Sequence, residues 1–146
     1  MRTFHFSLHG LLRVREAQRE ACEQELIRAR ARQRQEQERL QALERQFQSA
    51  LITDPGATVS CGYFLQREKY LARLKRELQE QRVKVSAAET EVRACMGRLR
   101  RADIELKKME KLQQHERDRW QLDFQRQEQK INDEIGSSRA FYQRLE

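Results

Sequence analysis

Two histidines, His5 and His9, stand four residues apart, a spacing at which one helix face could present two imidazoles to a metal. No acidic or cysteine ligand joins them nearby, so the pair reads as an exposed helix start; the third histidine is His115. The three cysteines, Cys22, Cys61 and Cys95, are odd in number and no two have metal-ligand spacing. They read as free thiols of a reducing, cytosolic compartment. No glycine-rich phosphate loop occurs, and no Ser-His-Asp or Cys-His set can be assembled. The reading is therefore of a chain that is not an enzyme and has no metal and no cofactor. The first ten residues, MRTFHFSLHG, lack the apolar core of a signal peptide, and no run approaches the roughly 20 apolar residues of a membrane span.

The elements behind these residues are few and long. From Gly62 onward there is no proline, and apolar residues recur at seven-residue intervals: Leu71, Leu78, Val85, Val92, Leu99, Leu106. A second series runs three residues later: Leu74, Gln81, Ala88, Cys95, Ala102, Met109. Such paired series are the a and d positions of a coiled coil. Weaker series cross the first part of the chain, Leu12, Arg19, Leu26, Gln33, Leu40, Phe47 and Leu8, Arg15, Cys22, Ala29, Glu36, Leu43, Ala50. The one strong break is Thr53-Asp54-Pro55-Gly56, where proline cannot continue a helix and glycine permits reversal. The expected fold is all-α: one long two-helix antiparallel coiled-coil hairpin spanning residues 1–146. Helix one runs over about 8–52, the turn over about 53–61 and helix two over about 62–143.

A turn centred near Ala57 implies facing layers such as Leu8–Leu106, Leu12–Ala102, Cys22–Val92, Leu26–Ala88, Ala29–Val85, Gln33–Gln81 and Leu40–Leu74. A slip by one heptad keeps the same pattern. The arms are unequal, and helix one covers helix two only to about residue 110. The expected overhang still carries Trp120, Phe124, Ile131, Ile135 and Tyr142 at helical spacing. An apolar stripe beyond its own fold implies a protein partner.

Charged residues make up 36% of the chain and aromatics 7%, which suits a seam rather than a thick globular core. The sustained heptads count against disorder. The net charge of +7 would suit nucleic acid, anionic lipid or acidic protein, but Asp and Glu are interspersed nearly everywhere. Arg28, Arg30, Arg32 and Arg34 spread around a helix instead of lining one face. Solvated faces with ion pairs are the expectation, with no nucleic acid partner. A basic scaffolding or nucleic-acid-binding coiled coil is the alternative from another class.

The two ends carry a resemblance. Phe4-x-Phe6-x-Leu8-x-x-Leu11-Leu12-x-Val14-Arg15-Glu16, with Arg126-Gln127-Glu128-Gln129-Lys130-Ile131-Asn132-Asp133-Glu134-Ile135, resembles the FliJ family of bacterial flagellar type III export. The YscO-type injectisome stalk is closely similar. The resemblance implies a non-catalytic stalk, cytoplasmic and peripheral to the inner face of the cell membrane. Its joined ends would enter and stimulate the ring of the export ATPase, FliI, and its turn end would reach the membrane export-gate protein, FlhA. Export chaperones are further implied partners. Lys130, Asp133 and Glu134 match the C-terminal motif and join Trp120, Phe124, Ile131 and Ile135 as expected ATPase contacts. Tyr63, Phe64 and Tyr70, the aromatic cluster beside the turn, are the expected gate contacts.

Overall fold

The structure, a computed structural model, describes residues 3–52, 56 and 60–143, with side chains to residue 139. It is all-α: α1 spans His9–Ile52 and α2 spans Cys61–Gln143, packed against each other, with no strand among the described residues. Of the expected turn, Gly56, Ser60 and Cys61 are described, and Cys61 already opens α2. Gly56 takes a φ of 23°, a left-handed backbone that glycine adopts without a Cβ clash. The rest, Thr53, Asp54, Pro55, Ala57, Thr58 and Val59, lies outside the described residues, as does the Tyr142 side chain.

By contact, the chain forms two compact units, Arg19–Arg101 and Met1–Gln18 with Ala102–Glu146. In the first unit the heptads sort the residues as expected. Leu71, Leu74, Leu78, Gln81, Val85, Ala88, Val92 and Cys95 are buried and Leu99 is half-buried, while the positions between them are mostly exposed. On α1 the covered positions include Arg19, Cys22, Leu26, Ala29, Gln33, Glu36, Leu40, Leu43, Phe47 and Ala50, at intervals of three and four, with Glu23, Gln37 and Glu44 partly covered beside them. Helical stability at this length comes from that shared seam, since each helix is otherwise strongly polar.

The register differs from the one centred on Ala57. Leu26 and Ala29 share a cluster with Val92 and Cys95, with Leu99 packed against it, and not with Ala88 and Val85. The partners have moved by seven residues along α2, which preserves every a and d position. Gln81 correspondingly donates to the Glu36 carbonyl at 2.9 Å and the Glu36 carboxylate at 2.6 Å instead of pairing with Gln33. Two polar contacts join the helices along this seam. The buried Gln81 amide finds acceptors, which saves the cost of an unpaired polar group in the seam. At the other contact, Arg67 donates to the carbonyls of Ala50 and Leu51 at 3.2 and 3.0 Å. Those carbonyls end α1, whose last turn has no basic residue of its own. A cation supplied by α2 therefore satisfies orphan acceptors at the negative end of the helix dipole.

In the second unit, α1 opens at His9 and not at Leu8, so the residues before it are not helical. The His9 amide donates to the Phe6 carbonyl at 3.2 Å as the helix begins. Leu8, expected to face Leu106, is 38% exposed; Phe6 takes the inner place, 4% exposed, clustered with Leu12 and Leu106. Leu12 meets Leu106 where Ala102 was expected.

The register makes a crosslinking prediction. With Cys22 and Cys61 replaced by serine, Leu26→Cys should form an intramolecular disulfide with native Cys95 under mild oxidation. Leu26→Cys with Ala88→Cys, in a background also lacking Cys95, should close much more slowly. The reverse order, read by non-reducing peptide mapping, would return the register to the one centred on Ala57.

Candidate interaction surfaces

Three side-chain groupings stand out, each within one unit. The first lies at the start of α2, before the buried series begins at Leu71. Tyr63, Phe64 and Tyr70 are all exposed, and Leu65 with them. The Tyr63 and Phe64 rings meet edge to face at 6.4 Å. Tyr63 and Tyr70, one on each side of Arg67, line a groove with Gln66 and Ala50. Arg67 thus caps α1 and forms the floor between two tyrosines. Their place beside the turn singled out the aromatics but not the arginine, whose role depends on the end of the other helix.

The second grouping is on α2 after Met109. Trp120 stacks on Phe124, four residues on, with centroids 5.5 Å apart and planes 18° from parallel. The expectation that nothing covers Trp120 is corrected here: the Phe4 ring sits 6.1 Å from it, tilted by 58°. The cause is the non-helical start of the chain. Residues 3–6 are not helical and residue 7 lies in a turn, and this stretch brings Phe4 to Trp120. The uncovered stretch therefore begins after Phe124, not near residue 110, and residues 125–139 are all exposed. Within it Ile131 is 55% and Ile135 47% exposed, with Lys130, Asp133 and Glu134 exposed around them. Sequence reasoning missed Phe4 and Phe6 as covering residues. Their alternation with His5 was the available signal, since an extended segment turns every second side chain to the same face.

The third grouping flanks the seam of the first unit. Arg98 donates to the Glu91 carboxylate at 3.0 Å and to the Cys95 sulfur at 3.1 Å, and pairs with Glu25 of α1 at 3.3 Å. Its bond to Glu91, followed by the Cys95 thiol, holds the Glu91 carboxyl below the usual carboxylate range. Burial pushes the Cys95 thiol up, and the Glu91 carboxylate beside it adds to the shift. A thiol shifted in that direction keeps its proton, so Cys95 serves as packing and not as a nucleophile. Among the described residues no group of three or more His, Cys, Asp or Glu could hold a metal, and no helix is long and apolar enough to cross a membrane.

These features define an all-α helical hairpin with exposed aromatic and apolar side chains at the start of α2 and after Phe124. The family described as Flagellar FliJ protein matches residues 4–146. The chain belongs to the FliJ family and is a flagellar export-related protein, of a family whose members are non-enzymatic export components. Comparison with the curated proteins and with the solved structures gives no match.

Thiol chemistry checks the arrangement around Cys95. Maleimide labelling at neutral pH should modify exposed Cys61 first, Cys22 more slowly, and Cys95 only as the hairpin opens. Peptide mass mapping over time reads the order. Early labelling of Cys95 would contradict its place in the seam.

Proposed function

We propose that this chain is the stalk of the flagellar export apparatus, joining the export ATPase to the membrane export gate on the cytoplasmic side. The C-terminal part of α2 docks in the ATPase ring and promotes its turnover through Trp120, Phe124, Lys130, Ile131, Asp133, Glu134 and Ile135. The start of α2 meets the gate protein through Tyr63, Phe64 and Tyr70, and export chaperones exchange on the same hairpin. The observation that carries the reading is the stretch 125–139, where Ile131 and Ile135 face solvent on a helix with no cover of its own. Paired isoleucines one turn apart suit a partner's apolar groove, and Lys130, Asp133 and Glu134 offer a polar rim. Membership of a flagellar export family favours this over the injectisome counterpart. Arg73 and Arg98 are among the arginines that pair with nearby carboxylates, Arg73–Glu77 at 2.8 Å and Arg98–Glu91 at 3.0 Å, and acidic residues are interspersed along the chain, which favours solvated, ion-paired faces over a nucleic-acid surface.

Ile131→Ala with Ile135→Ala tests the docking end. Neither side chain is buried, so the thermal midpoint of the free chain should stay unchanged. Affinity for the export ATPase should fall by at least roughly tenfold, with stimulated ATP hydrolysis falling in parallel. Unchanged binding and stimulation would overturn the assignment. At the other end, Phe64→Ala should weaken capture by the gate protein and leave ATPase stimulation intact. Loss of ATPase stimulation with gate capture retained would reverse the two ends.

A further inference from the structure

Residues 3–7 are non-helical and lie against α2 within one unit. Their inner anchor is Phe6, buried with Leu12 and Leu106 and backed by Met109. Their outer contact is Phe4, half-buried, with its ring against Trp120. The two contacts differ in kind. Phe6 belongs to a core that the start of α1 shares, while Phe4 lies beside an open groove lined by Thr3, His5, Glu116, Arg119 and Asp123. Trp120, Phe124, Ile131 and Ile135 are spaced by four, seven and four residues and so form one stripe down α2. A partner surface laid along Ile131 and Ile135 and continued toward Trp120 meets Phe4 in its path.

We propose that residues 3–7 are a strap that masks the aromatic end of the docking stripe and is displaced from Trp120 when the ATPase docks, hinging at Phe6. This rests on the docking role proposed above for Trp120 and Phe124. The strap is an internal competitor: the ATPase binds the open form, and the closed population lowers the apparent affinity in proportion. The closed strap also covers apolar surface that the free chain would otherwise expose.

The chain has a single tryptophan, so Trp120 reports on its own cover. In the free protein, Phe4→Ala should raise acrylamide quenching of Trp120 and shift its emission to the red, with the far-UV helical signal unchanged. The same variant should bind the export ATPase roughly threefold or more tightly than the parent, because no closed state remains to be opened. An unchanged quenching profile would overturn the cover of Trp120 by Phe4. Greater quenching with equal or weaker binding would overturn displacement and make Phe4 a contact or a packing residue. Trp120→Ala with Phe124→Ala separates this from the docking reading. If that double variant, still helical, binds as well as the parent, the aromatic end is no docking surface and the strap falls with it. If it binds more weakly and Phe4→Ala shows no gain, the strap alone fails.

Discussion

The structure depends on one shared apolar seam. Neither helix carries enough hydrophobic surface to fold alone, and each helix's stripe is narrow, two positions in seven. Burying a leucine such as Leu26 or Leu78 is worth about 1.5–3 kcal/mol, and only the opposite helix can cover it. Polar residues enter the seam where a partner is at hand. Gln81 finds the Glu36 carbonyl and carboxylate, and Glu36 is further held by Arg39 at 3.6 Å. A partly buried carboxylate with two donors is tolerated, and the buried Gln81 amide gains its acceptors in return.

A seam of repeating layers is degenerate in register, because sliding by seven residues exchanges one set of apolar pairs for another of similar worth. Specificity must come from features that do not repeat. Here they are Gln81 against Glu36, and Arg67 against the last carbonyls of α1. Each is a single hydrogen-bonded contact that does not recur seven residues on, unlike the apolar layers around it. The surface ion pairs contribute little to that choice, since most are exposed i,i+3 or i,i+4 pairs along one helix.

The same reasoning accounts for where the chain offers itself to partners. A two-helix fold buries a seam and leaves most of its side chains outside, and the proposed contacts are among these. At the start of α2 the aromatics precede the first buried layer at Leu71. Phe6 fills the layer at Leu106, and beyond Met109 Phe4 of the non-helical start carries the cover on to Trp120. Beyond that point Ile131 and Ile135 have the spacing of seam residues without a seam.

The sequence by itself determined the helical class, the positions that face inward and the family. Those follow from a period of three and four residues and from the motifs at the two ends, all of which are local along the chain. It also marked Trp120, Phe124, Ile131 and Ile135 as one stripe, because helical phase needs no tertiary information. Only the tertiary structure decided the register, since Leu26 packs as well on Cys95 as on Ala88 by pattern alone. It also decided the fate of the first residues: Leu8 belongs to the heptad series yet is exposed, because the helix opens one residue later and Phe6 fills the layer. A non-helical segment of five residues carries no period long enough to read. What it covers depends on how far it reaches along a helix more than a hundred residues away in the chain.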